Sequence, residues 1–302
     1  EAQVVAPTVK VRRPRVALPQ VHLHEKGARF AALIAKTAPL DPVRTGVVHP
    51  CDALSLEGAL EAAERGIIIP VLIGPRGKIE AVALETKHDL EGVEIVDVPH
   101  SHAAADMAVS MARDGRIEMI MKGKLHTDEL LAPIVDKATG LRTDRRITHI
   151  FGLDVPHYPK PLLISDAAIN IAPDLDAKRD IVQNAIDLAI ALGNPLPKVA
   201  VLSAVETVTP TIPSSVDAAA LCKMAQRGQI TGGLVDGPLA FDNAVSSAAA
   251  KTKGIVSDVA GDADVLIVPD LDAGNMVAKQ LIYLAGADAA GLVLGAQIPI
   301  VL

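Results

Sequence analysis

Two periods of apolar and polar positions run through most of this chain. Short apolar runs rich in Val, Ile and Leu read as strands buried on both faces: Gly46–His49, Ile67–Ile73, Gly92–Val98, Ile117–Met121, His149–Leu153, Pro161–Ser165, Val199–Ser203, Gly232–Asp236, Val265–Val268 and Gly291–Leu302, with Lys253–Val256 a further candidate. Between them the apolar spacing turns helical. His24–Thr37 carries Phe30, Leu33 and Ile34 on one side, and Ser55 can cap a helix over Leu56–Arg65 that stops at Gly66. Ser101–Asp114, Thr127–Asp136, Ser215–Gly228, Asn243–Thr252 and Met276–Leu284 read the same way. The clearest helix is Asp176–Leu192, with Ile181, Ala185, Leu188, Ala189 and Leu192 as its stripe and Asp174 or Asp176 as its cap. Strand–helix alternation at short intervals predicts a parallel sheet covered by helices.

Composition narrows this picture. Half of the 302 residues are apolar but only 2% are aromatic, so the core is built from Ala, Val, Ile and Leu. So few aromatics argue against base-stacking recognition of nucleic acid. A net charge of −7 argues against general polyanion binding, and a phosphate-bearing ligand must therefore be held by a local cluster. Two cysteines, Cys51 and Cys222, do not make a disulfide scaffold and fit a reducing cytoplasm. No apolar run approaches a membrane span, and no signal-peptide pattern is present. Residues 1–21 read as a linker or arm, with an edge strand at Arg15–Leu18 as the alternative. The start at Glu1 in place of Met leads us to expect a preceding segment.

The candidate chemistry collects where strands end. Lys122 and Gly123 directly follow one strand; Lys124, Arg142, Arg145 and Arg146 are near in sequence, and Thr127 can cap the next helix and offer its hydroxyl. Arg145 and Arg146 read equally as a solvated face. His126 can be a base near neutral pH or a structural hydrogen-bonding residue. Asp236 and Asp242 flank Gly237-Pro238 and can orient a substrate or cap a helix, and Ser165-Asp166 closes another strand. Val265–Val268 gives way at Pro269 to Asp270, Asp272, Gly274 and Asn275, and a helix start at Asn275 would offer N–H groups to an anion. Cys222 reads as core, Cys51 as a nucleophile without an evident partner. No metal-ligand spacing, Walker loop or Gly-x-Gly-x-x-Gly element is present.

Three of these blocks, in order, resemble the phosphate acetyltransferase/phosphate butyryltransferase family: Met121-Lys-Gly-Lys-Leu-His-Thr127 with Leu141-Arg-Thr143, Val235-Asp-Gly-Pro-Leu-Ala-Phe-Asp242, and Asp264–Leu281 with its Pro-Asp-Leu-Asp-Ala-Gly-Asn turn. The wording is most similar to the transferase part of bifunctional enoyl-CoA hydratase/phosphate acetyltransferases. The resemblance covers about residues 22–302 and implies a two-domain isocitrate/isopropylmalate-dehydrogenase-like fold. Residues 22–154 with 291–302 would form the first domain and 155–290 the second, with a cleft between.

The implied reaction exchanges an acyl group between coenzyme A and inorganic phosphate, with no cofactor beyond coenzyme A as substrate. Lys122, Gly123, Thr127, Arg142, Asp236, Asp270 and Asn275 would line the site. The family's Ser-Arg pair and catalytic aspartate would follow Leu302. A homodimer and a preceding MaoC-like hydratase domain are also implied. Two other readings stand beside it: an NAD- and metal-dependent dehydrogenase of the same fold, with Asp270 and Asp272 as ligands, and a non-catalytic domain that binds coenzyme A or partner subunits.

Overall fold

The computed structural model describes residues 27–302. The arm read at residues 1–21, and the start of the first expected helix, lie outside the described residues. In chain order the elements are α1 Ala28–Thr37, β1 Val43–Val48, α2 Ala53–Glu64, β2 Ile68–Gly74, α3 Arg76–Thr86, β3 Glu94–Asp97, α4 Ser101–Arg113, β4 Met119–Lys122, α5 Thr127–Ile134, β5 Thr148–Asp154, β6 Leu162–Ser165, α6 Leu175–Ala191, β7 Lys198–Leu202, α7 Pro213–Gln226, β8 Leu234–Leu239, α8 Phe241–Val245, α9 Ser247–Thr252, β9 Val265–Ile267, α10 Leu271–Tyr283, β10 Asp288–Leu294 and β11 Ile300–Val301.

The eleven strands among the described residues join one sheet in the order β3-β2-β1-β4-β11-β10-β5-β6-β9-β7-β8. Strands β3, β2, β1, β4 and β11 run parallel, as do β6, β9, β7 and β8. The two blocks are joined by β10 and β5, which pair antiparallel over seven residues, from Asp288 opposite Asp154 to Leu294 opposite Thr148. Neighbouring residues in the strands bury on opposite faces. Val47 and Leu72 pack with Leu56 and Ile79, whereas Val48 and Ile73 pack with Ile120 and Leu130. In the other block Val265 and Ile267 meet Ile181 and Ile186 of α6, while Leu266 meets Leu162 and Ala200. Burial on both faces explains why the strand runs are apolar without alternation. Each such Val, Ile or Leu contributes about 1.5–3 kcal/mol.

Several sequence expectations change. Helix α3 was not anticipated: Pro75 looks like a stop, yet it is the N-cap residue of a helix with only Ile79 and Ala83 buried. Asp52, not Ser55, caps α2, accepting from the Ser55 amide at 3.0 Å. The expected helix over Asn243–Thr252 is split at Ser246. Lys253–Val256 is loop. The last expected strand is a hairpin of β10 and β11 turning at Gly295, whose φ is 90°. The strand expected to end at Asp236 runs on to Leu239. Among the described residues no helix is long and apolar enough to cross a membrane.

Candidate functional site

In the first block the chain steps from β1 to β2 and β3 on one side, then returns to β4 on the other side of β1. The loops leaving β1 and β4 therefore diverge. Open α/β sheets bind ligands in the crevice that such a switch creates beyond the carboxyl ends of the strands. Val48 and Lys122 are paired at this edge. His49–Asp52 form one wall and Gly123–Thr127 the other.

The two walls are stitched by main-chain bonds. The Gly123 amide donates to the Val48 carbonyl and the Lys124 amide to the His49 carbonyl, both at 2.9 Å. His49 Nδ1 lies 2.6 Å from the Lys124 carbonyl. A Cβ at Gly123 would stand 2.4 Å from the Val48 oxygen and 2.6 Å from that of His49, so this position accepts only glycine. Gly123 therefore shapes the site through its backbone.

Positive charge gathers here without neutralisation. Lys122 reaches only the neighbouring Gly123 carbonyl, at 3.5 Å, and among the described residues neither Lys122 nor Lys124 pairs with a carboxylate. The one carboxylate in the walls, Asp52, is held below the usual range, first by the Ser55 hydroxyl and also by Lys124 and Lys122. Thr127 does not cap α5: it is the first helical residue, His126 is the N-cap without a side-chain bond, and the Thr127 hydroxyl makes no hydrogen bond among the described residues. The first turn of α5 thus keeps uncapped backbone donors, shared with the carboxylates of Asp128 and Glu129 in the same turn. Cys51, half buried, has its thiol pushed up by burial against the pull of Lys78 and Lys124, so it is protonated at neutral pH.

A second group surrounds the end of β6. Asp166 is buried, and its carboxylate accepts from the amides of Ala168, Ile169 and Asn170 at 3.0–3.2 Å and from Asn170 Nδ2. Arg146 Nε donates to Asn170 Oδ1 at 2.7 Å. Arg145 pairs with Asp187. These two arginines are therefore occupied. Arg142 differs: it bridges Ala296 through its backbone, and its exposed guanidinium makes no bond among the described residues.

Asn275 is not a helix start. Helix α10 begins at Leu271, Asp270 caps it by accepting from Ala273 at 2.9 Å, and Asn275 lies more than a turn inside. Asn275 Nδ2 donates to the Ala167 carbonyl at 3.3 Å. Gly274 permits this approach, since a Cβ there would be 2.7 Å from the Asp166 oxygen. Asp270 and Asn275 thus adjoin the Asp166 loop, at the sheet edge opposite the ends of β1 and β4, because β6 and β9 run against those strands. No group of three His, Cys, Asp or Glu able to hold a metal forms among the described residues, and Asp270 and Asp272 gain no third ligand.

Asp236 is placed elsewhere. It lies within β8, the far edge strand, and accepts from the Gly237 amide at 2.9 Å. Seven strand steps separate β8 from β4, roughly 33 Å in a flat sheet. Burial and the nearby Asp236 push the Cys222 thiol up to about 12. The reading missed His49–Asp52 as a wall, although Pro50-Cys51-Asp52 after a strand was the available signal.

Comparison with known proteins identifies the family. A 4-hydroxythreonine-4-phosphate dehydrogenase from Klebsiella pneumoniae shares the fold, with a TM-score of 0.52 at 12% identity over 86% of this chain and 90% of that one. A branched-chain phosphotransacylase from Enterococcus faecalis superposes with a TM-score of 0.73 at 29% identity, covering 86% of this chain and 91% of that one. Residues 99–302 match the phosphate acetyl/butaryl transferase family model. A phosphate acetyltransferase from Rhizobium meliloti is 62% identical over 91% of this chain and 87% of its own length. The chain belongs to the phosphate acetyl/butaryl transferase family.

Proposed function

We propose that this protein is a phosphate acyltransferase that converts a short-chain acyl-CoA and inorganic phosphate reversibly to acyl phosphate and coenzyme A. The observation that carries this reading is the 62% identity to a phosphate acetyltransferase over nearly the whole chain. The crevice between β1 and β4 supports it, because its unneutralised lysines suit phosphate groups.

In the reading, Lys122 and Lys124 hold phosphate, and Thr127 and Arg142 donate to the oxygens on which charge develops. A carboxylate takes the thiol proton of coenzyme A. The sulfur attacks the carbonyl of the acyl phosphate, the C–S bond forms, and phosphate leaves with the C–O electron pair. Donors aimed at the developing charge supply the larger share of such catalysis, and shared positioning supplies much of the rest. Asp270 and Asn275 belong to this reading on the family resemblance alone. A homodimer, a cytoplasmic setting, a preceding hydratase domain and the division at residues 154/155 and 290/291 belong to this reading on the family resemblance alone.

Phosphate-dependent release of free thiol from acetyl-, propionyl- and butyryl-CoA by the full-length protein tests it. Turnover supports the reading and ranks the acyl chains; bound acyl-CoA without turnover overturns it in favour of a binding domain.

A further inference from the structure

Helix α1 precedes the first block in sequence but is fastened to the other side of the seam. Arg29 Nη1 donates to Asp154 Oδ1 and Arg29 Nη2 to the Tyr158 carbonyl, each at 2.7 Å. Asp154 is the last residue of β5, and Tyr158 lies in the turn to β6, its hydroxyl donating to the Ala263 carbonyl of the second block. Two turns further along α1, Lys36 donates to the Leu192 carbonyl, just past the end of α6, at 3.2 Å. Among the described residues these are all the side-chain hydrogen bonds that α1 makes beyond itself. Packing adds little: no residue of α1 is buried, and Phe30 and Leu33 stay exposed. Arg29 and Asp154, in contrast, keep only 15% and 18% of their side-chain surface. The charge-assisted fork of Arg29 is therefore the principal anchor of the helix.

From Thr37 the chain returns at once to the first block. Val43 opens β1, and its amide donates to the Ile67 carbonyl at 3.0 Å. The stretch from Thr37 to Val43 can span at most about 20 Å. A turn closed by the Leu40 amide on the Thr37 carbonyl, at 2.8 Å, shortens it, and Pro39 and Pro42 stiffen it. A short, stiff tether thus crosses between the blocks, beside the β10–β5 pairing about which they can bend.

We propose that α1 is a strap that limits how far the two blocks swing apart about the β10–β5 pairing. The Arg29 fork is its buckle on the second block, and the proline-stiffened stretch into β1 sets its length. With the fork made, the swing stops where that stretch is taut. With the fork released, α1 leaves with the first block and the swing widens. The apolar side of α1 is already exposed, so release uncovers little further apolar surface and the strap can detach and reattach. The device does not depend on which ligand the crevice takes.

Spin labels attached at Glu85→Cys on α3 and Lys251→Cys on α9, both exposed, report the distance between the blocks by pulsed electron resonance. The two native cysteines are replaced by Ser in this background. The parent should give a narrow distance distribution. Arg29→Ala removes the buckle, and longer distances should enter a wider distribution. Pro39→Gly with Pro42→Gly leaves the fork intact but slackens the stretch, and should widen the distribution as well. Both prolines are exposed, so the glycines leave the core untouched. Arg65→Ala, which breaks an exposed pair with Glu61 within the first block, should match the parent. A parent-like distribution in Arg29→Ala overturns the proposal. Widening in Arg29→Ala but not in the double glycine variant also overturns it, because the fork is then a local contact of Asp154 and not the buckle of a strap. Equal widening in Arg65→Ala overturns it too, since the effect is then a general loosening of the fold.

Discussion

The oxygen of Val48 occupies the place where a side chain on Gly123 would begin. The amide of Gly123 bonds that same oxygen at 2.9 Å, so one short contact sets the width of the crevice and closes its floor. Gly123→Ala cannot be accommodated by a rotamer change, because the obstructing atoms are backbone. It should cost about 1–3 kcal/mol of stability and reduce thiol release well beyond the stability loss. Thermal unfolding and activity at a temperature where the variant is folded check this; wild-type values in both would show that the loop shifts freely.

Arg142 and Arg145 are three residues apart but differ in their engagement. Arg145 is spent on Asp187, while the Arg142 guanidinium makes no bond among the described residues. Arg142→Ala should lower the transfer rate about 100-fold, on the scale of a lost charge-stabilising donor, with an unchanged melting temperature. Arg145→Ala should retain activity and lose at most about 1 kcal/mol, as expected of an exposed ion pair. The reverse ranking would remove Arg142 from the site.

Asp166 ties three consecutive amides and Asn170 into one loop. Asp166→Ala leaves those donors bare, with the buried Asn170 amide and side chain among them, and should cost about 3 kcal/mol. Asp166→Asn retains an acceptor and should cost less. Urea unfolding of the two variants gives the comparison; equal, small losses would mean water replaces the carboxylate.

His149 is buried against Phe151, with ring centroids 4.4 Å apart, and its Nδ1 has no partner among the described residues. Burial holds it neutral, lowering its pKa below 6.5, although Asp166 pulls the other way. The unfolded chain therefore binds the proton more readily. Stability is unaffected by this group well above pH 6.5 and falls as pH drops from there toward the lowered value, by at most about 1.4 kcal/mol per pH unit. His149→Phe should flatten that part of the profile. Denaturant midpoints between pH 7.5 and 5 measure it, and parallel profiles for the two proteins would refute the assignment.

The sequence was most legible where burial is symmetrical. Runs such as Ile68–Gly74 and Val265–Ile267 announce themselves because both faces are covered. Helix α3 was hidden because Pro75 and Gly77 resemble a turn and because few of its residues touch the core. The start of α10 was misplaced by five residues: Asp270 is its cap, and Gly274 is interior for a packing reason that spacing does not reveal. Lys122, Gly123 and Thr127 were legible as residues following a strand. Their partner wall was not, because His49–Asp52 becomes a wall only through the order of strands. Asp236 was misleading for the same reason, since a strand end in sequence need not lie at the same end of the molecule.

The seven-residue pairing of β10 with β5 also constrains synthesis. Strand β4 borders β1 on one side, but its other neighbour, β11, comes from the extreme end of the described chain. At ordinary translation speeds, roughly 10–40 s pass between the emergence of Lys122 and that of Val301. Throughout that interval Met119–Lys122 is an uncapped strand edge, and β5 lacks its longest partner. The nascent protein therefore passes that interval with an apolar edge exposed at its centre, the condition under which a chaperone that shields extended segments has the most to contribute.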